Sequence, residues 1–425
     1  MQEDLLQFIW KYNLYRPGAL RTTEGEAVRV VHPGTQNRDA GPDFGMARIR
    51  LGDILLVGDV ELHVRSSDWN RHKHDSDPAY GRVILHVVYE HDTQTLPGGI
   101  PVLELKGEIP PEVLDRYSHL IQTTAPLPCA GVLHKASDIV RSSWLSRMLV
   151  ERWEHKLEQW QEELRQVGGD WNALFYRRLA ANFGFKVNAA PFLLLAQSLP
   201  LNIVGRQSGL LQVEALVFGQ SGLLSGSFAD EYPKRLQAEY HFLRQKYSLS
   251  PIDPFLWKFL RLRPANFPTI RLAQFAALLH KSPQLLLTLD GLADTKSLVA
   301  ELSVQAGEYW DRHYRWDDAP AIAAPKSLGT DAIHNIIINT VAPLRFLYAH
   351  THGRSAEAES ALGLLDSIPA ENNNIIRMWS GYGWPPANAG GSQSMIGLYN
   401  NYCSRKRCLE CAVGLSIIRA AGPDK

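Results

Sequence analysis

The hydrophobic period of this chain changes near residue 130, and that change constrains the fold more than any other feature. Before it, short runs alternate apolar and polar residues at every second position. Beyond it, apolar residues recur every three or four positions almost to the end. Leu5, Leu6, Ile9, Trp10 and Leu14 predict an opening amphipathic helix that ends before Pro17-Gly18. Strand patterns follow at 28–31, at 44–51 through Met46, Ile49 and Leu51, and at 54–64, with Gly52-Asp53 as the hairpin turn. The run Val83-Ile-Leu-His-Val-Val-Tyr89 is almost wholly apolar, which predicts a strand covered on both faces. Asp68 to Tyr80 reads as a loop leading into a short helix, and 102–105 as one more strand.

From Ala136 onward helices dominate. Trp144, Leu145, Met148, Leu149, Trp153, Leu157, Trp160 and Leu164 mark one long helix. Gly168-Gly169 stops it, and Asp170 is placed to cap the next. Further helices are predicted at 171–183, 191–198, 212–217, 232–247, 272–279, 297–306, 331–349 and 356–365, with 317–326 as a linker. No repeat of 20–50 residues is present, which argues against a solenoid. The expectation is an α+β protein: an α/β domain over 1–130, a helical domain over 131–320, and a helical C-terminal region over 321–425 that carries most of the cysteines.

Composition narrows the function classes. An apolar fraction of 45% with 21% charged residues is that of a soluble globular protein. The formal net charge is zero, so nucleic-acid binding would need local basic patches. No apolar run approaches the ~20 residues of a membrane span. The acidic start runs directly into a helical pattern, so no secretory signal and a cytoplasmic location are expected. There is no Gly-x4-Gly-Lys loop, no Gly-x-Gly-x-x-Gly after a strand and no Gly-x-Ser-x-Gly elbow, which ranks nucleotide hydrolysis and serine-hydrolase chemistry low.

Two clusters carry chemistry. In the first, Asp43 follows a Gly-Pro turn, Glu61 lies near the end of the next hairpin, and His63 comes two positions later. Carboxylates on neighbouring strands can grip Mg²⁺ or Mn²⁺ while a third residue handles water. His72 and His74 stand close by as further ligands, although residues two apart share no helix face. His86, inside an apolar strand, reads as a hydrogen-bonded core histidine. Ser66 and Ser67 are placed either to hold substrate or to form a turn before Trp69. The bland alternative makes Asp43 and Asp59 turn residues and Glu61 a solvated strand residue. In the second cluster, Cys403-x4-Cys408-x2-Cys411 can converge on one metal, with Cys129 the sole cysteine left as a fourth ligand. Zinc, an iron–sulfur cluster and a set of reduced buried thiols all fit that pattern. Arg405, Lys406 and Arg407 lie inside the cysteine loop, where they could face a phosphate backbone or offset thiolate charge. The segment Trp379-Ser-Gly-Tyr-Gly-Trp384 reads as an aromatic loop suited to packing or to base stacking.

Two resemblances attach to these residues. The chain resembles a bacterial family catalogued only as a domain of unknown function, DUF2851. The motifs that carry this are Asn37-Arg-Asp-Ala-Gly-Pro-Asp-Phe, Gly58-Asp-Val-Glu-Leu-His, Ser66-Ser-Asp-Trp, Val83-Ile-Leu-His-Val-Val and Tyr402-Cys-Ser-Arg-Lys-Arg-Cys-Leu-Glu-Cys. Separately, Pro42-Asp43 and Glu61-Leu62-His63 make the N-terminal quarter resemble the PD-(D/E)XK nuclease superfamily, with histidine where that motif has lysine. That second resemblance implies a restriction-nuclease-like domain, with Asp43 and Glu61 as Mg²⁺ or Mn²⁺ ligands and His63 acting on the attacking water. It further implies hydrolysis of DNA or RNA. A histidine in that role implies activity dependent on pH near 6.5, or a third metal ligand. A non-catalytic nucleic-acid-binding scaffold and a histidine-rich metallohydrolase with another substrate are the alternative expectations.

Overall fold

The alternating segments build one mixed sheet in a computed structural model that describes residues 1–16, 18, 20–93, 99–284, 292 and 294–420. Its strands are β1 (Val28–His32), β2 (Thr35–Gln36), β3 (Phe44–Leu51), β4 (Ile54–Arg65), β5 (Val83–Glu90) and β6 (Val102–Glu104). They run in the order β1-β3-β4-β5-β6, with β2 also pairing β3. Pairings of β3 with β1, β2 and β4 are antiparallel, whereas β4–β5 and β5–β6 are parallel. A parallel pair needs a crossover, and residues 66–82 supply it. Val60 to His63 on β4 and Leu85 to Val88 on β5 are all buried, which is why β5 is a continuous apolar run.

The first helix, α1 (Glu3–Lys11), packs on β4 and buries Leu5, Leu6, Phe8, Ile9 and Trp10. It stops at Lys11, and its expected limit at Pro17 lies outside the described residues. The crossover holds α2 (Asp68–Arg71) and two single 3₁₀ turns, His74–Ser76 and Pro78–Tyr80. A helix the periodicity does not announce, α3 (Pro111–Gln122), buries only Val113 and Leu120 and begins at a proline. The terminal helix Ala412–Arg419 packs against α3, where the Arg116 guanidinium donates to the Ile418 carbonyl at 3.1 Å.

The chain divides into two compact units, one made of Met1–Ser146 and Gly397–Lys425, the other of Arg147–Ile396. The divisions after Ser146 and Ile396 differ from the expected ones near 130 and 320. The second unit is helical. Helix α4 (Asp138–Gln166) runs into it, and Asp170 caps Trp171–Phe183 by accepting from the Asn172 and Ala173 N–H groups. Trp153, Phe183, Phe192, Phe218, Phe275 and Trp310 fill its core. The segment expected as one helix over 331–349 contains a π-turn at Ile337–Val341 between Thr330–Ile336 and Ala342–Thr351.

Candidate metal centre on the sheet

A bulge sets the first carboxylate in place. The pairing of β3 with β4 slips between Phe44↔Val60 and Ala47↔Gly58. Within the slip Met46 adopts a left-handed φ of 57°, and its N–H donates to Asp59 Oδ1 at 3.2 Å. Asp59 is therefore a residue of the bulge. Such irregularities re-aim the neighbouring side chains. Here Asp43 comes to lie against Glu61: its N–H donates to Glu61 Oε2 at 3.0 Å, and its Oδ2 accepts from the Leu62 N–H at 3.0 Å. Gln7 of α1 donates to Asp43 Oδ1 at 2.8 Å.

Glu61 and His63 share one face of β4 by the two-residue period of a strand. Glu61 Oε1 lies 3.5 Å from His63 Nε2 and 3.5 Å from His74 Nε2. His63 Nε2 is 3.1 Å from His72 Nδ1. The three imidazoles of His63, His72 and His74 each present a nitrogen within 4.8 Å of the others. Lys73, at a left-handed φ of 60°, reverses the chain between His72 and His74, so residues two apart converge. Parallel register sets His86 beside Glu61, and its Nε2 lies 2.9 Å from His63 Nδ1. Trp69 closes the back of the cluster, with its ring 5.3 Å from His74 and 5.1 Å from His86, while Tyr80 stacks on His74 at 3.8 Å.

Glu61, His63 and His86 are buried, Asp43 and His74 are half-buried, and His72 is exposed. Burial pushes the Asp43 carboxyl up to about 7, against the Leu62 N–H that favours the anion. Burial and the neighbouring Asp43 push Glu61 up to about 8. His63 moves the other way, to about 2, through burial and then the imidazoles of His86, His74 and His72. His86 falls to about 3 for the same first reason, and His74 is lowered as well. The titration near 6.5 expected of His63 is therefore displaced far down, and the side chain is a neutral nitrogen donor.

The donor set fits a divalent cation. His74 Nε2 is buried without a hydrogen-bond partner and faces the Glu61 carboxylate. Neutral imidazoles gathered around one carboxylate are the ligands of manganese, zinc and related ions, whereas Mg²⁺ favours oxygen. His63, His72 and His74 would hold the ion, with Glu61 Oε1 3.5 Å from two of them. Asp43, also expected as a ligand, accepts one hydrogen bond on each oxygen, from Gln7 and from the Leu62 N–H.

A family model described as a protein of unknown function, DUF2851, matches residues 3–374. The chain belongs to that family. No curated protein and no solved structure matches it. In this DUF2851 protein the whole sheet cluster falls within the matched stretch, whereas Cys403, Cys408 and Cys411 lie beyond it.

The remaining expected site residues have other partners. Ser66 Oγ and Ser67 Oγ donate to Asp92 at 3.0 and 2.8 Å, which ties the end of β4 to the end of β5. Lys406 Nζ donates to the Ile121 and Thr123 carbonyls at 2.6 and 3.0 Å. Arg407 pairs with Glu410, and Arg405 is exposed. In the second unit, Trp379 is buried on helix Asn374–Gly381 with its indole N–H donating to Met395 O, which differs from the expected aromatic loop. His86, expected as a hydrogen-bonded core histidine, is buried and bonded to His63. Trp69 and Gln7 are the site residues that sequence reasoning left out, and no local signal marks them.

Proposed function

We propose that the DUF2851 protein is a metal-dependent hydrolase of phosphodiester bonds in DNA or RNA. The convergence of Glu61, His63, His72 and His74 beside Asp43 carries this reading. The order of elements supports it too: an antiparallel β1-β3-β4 meander is followed by a crossover to the parallel β5, with Asp43 just before β3 and Glu61 beside it on β4, at the end of the pair away from the hairpin. That is the layout expected of a PD-(D/E)XK nuclease domain. A divalent ion bound there supplies charge neutralisation at the phosphate and activation of water.

The chain's own residues do the rest. Asp43 fixes Glu61 through its backbone N–H and adds negative charge behind it. His86 sets the ring orientation of His63 through the contact between His86 Nε2 and His63 Nδ1. Trp69 and Tyr80 exclude water from one side of the histidines. Arg71, 70% exposed, is ion-paired through Nη2 with Asp68 at 3.0 Å and lies 3.4 Å from His72 Nε2, which keeps a positive charge beside the cluster.

One observation favours a second reading, a metallohydrolase with a substrate other than nucleic acid. Lys406 and Arg407, the cations expected to grip a phosphate backbone, are bonded within the protein. Labelled single- and double-stranded DNA and RNA, incubated with the protein and Mn²⁺, Mg²⁺ or Zn²⁺, decide between them. Cleavage abolished by Glu61→Ala and His63→Ala is the expected result. Metal-loaded, folded protein that cleaves none of these substrates overturns the nuclease reading, and turnover of a generic phosphoester or ester then identifies the second.

A further inference from the structure

Away from the histidines, the first unit holds a second gathering of metal-binding side chains. Cys129, Cys403, Cys408 and Cys411 line one small cavity with Leu120, Pro128, Tyr402 and Gly414. All four thiols are free and only 8–9% exposed. Three come from two 3₁₀ turns, Cys403–Arg405 and Cys408–Glu410, and the residue that follows them. Lys406 links the turns with a left-handed φ of 53° and is anchored at the end of α3 through its bonds to Ile121 and Thr123. Gly414 packs directly on the Cys408 carbonyl, where a Cβ would overlap it, so the loop closes tightly.

Buried cysteines alone are ordinary core residues. Here four of them, drawn from two distant stretches of chain, face one cavity. Cys411 is also the N-cap of helix Ala412–Arg419, and burial raises its thiol above the usual range. Arg407, paired with Glu410, also lines the cavity, and its guanidinium complements the negative charge that several thiolate ligands carry.

We propose that Cys129, Cys403, Cys408 and Cys411 ligate one thiophilic metal centre, a zinc ion or an iron–sulfur cluster, that fastens the C-terminal segment to the sheet-bearing unit. The ligands release their protons when the metal binds. The centre is structural in this proposal, because the cavity is small, about 20 Å³, and Leu120, Pro128 and Tyr402 form much of its wall.

Full-length protein purified without oxygen, assayed for zinc, iron and acid-labile sulfide, tests this. The expected result is either one zinc per chain without visible colour, or iron with sulfide and absorbance between about 300 and 600 nm. Cys408→Ser and Cys129→Ser should each remove that metal, while metal held by the histidine cluster stays. Because either variant could fail to fold, wild-type protein is also titrated with an organomercurial, and metal should be released in step with modification of the four thiols. Cysteine variants that keep the full metal content, or thiols that react while all metal remains bound, overturn the proposal.

Discussion

His63 Nδ1 lies 2.9 Å from His86 Nε2, and the proton between them can belong to only one ring. When His63 uses Nε2 as a ligand, Nδ1 must carry the proton and donate to His86. His86 then carries its own proton on Nδ1, a buried atom with no protein partner. His86 thus serves as the acceptor that orients a metal-bound His63.

Replacing that partner should weaken metal binding without removing a ligand. His86→Ala is expected to lower affinity for Mn²⁺ or Zn²⁺ roughly 10–100-fold. Calorimetric titration checks this, and unchanged affinity would mean that His63 needs no partner to bind.

Metal affinity should also depend on pH in a definite direction. Asp43 and Glu61 are raised to about 7 and about 8, so the metal-free site retains protons that an ion must displace. Apparent affinity should rise with pH, about tenfold per unit for each proton released, and level off above about 8. A flat profile between pH 6 and 8 would show that neither carboxyl is protonated in the metal-free protein.

Glu214 makes an independent prediction in the helical unit. It is 1% exposed on helix Leu210–Gln220, accepts from the Tyr232 hydroxyl, and is raised to about 7, chiefly by burial. Between its unfolded value of 4.5 and about 7, the folded protein keeps a proton that the unfolded chain has lost. Stability should therefore fall as pH rises across that window, by an amount on the order of 3 kcal/mol. Glu214→Gln should remove this slope in denaturant titrations at successive pH values.

Gly58 is required for the approach of β5 to β4. A Cβ at this position would overlap Ile84 Cγ2 and lie 2.6 Å from the Arg82 carbonyl, which also accepts from the Asp59 N–H. Gly58→Ala should destabilise the fold by ~1–3 kcal/mol and disturb the histidine cluster. Thermal unfolding with metal titration would register both effects.

The local part of this structure was legible in the sequence. Period-two alternation located β3 and β4, and the Trp and Leu spacing located α4. Glu61 and His63 were paired correctly on one strand face. What stayed hidden was non-local. The parallel register that sets His86 beside Glu61 leaves no trace in the spacing of either strand. His72 and His74 converge only because Lys73 adopts a left-handed backbone, which a lysine does not advertise. Helix α3 escaped notice because just two of its side chains are buried. The return of residues 397–420 to the first unit is a tertiary fact that no local pattern encodes.

That return has a bearing on biogenesis. The first unit is discontinuous, so Arg147–Ile396 is synthesised whole between its two parts. On the ribosome the helical unit has every residue it needs to fold while the sheet-bearing unit still lacks helix Ala412–Arg419. Shortened chains that stop before Gly397 should therefore yield a folded helical unit joined to an unfinished partner, and protease protection of nascent chains would reveal the order.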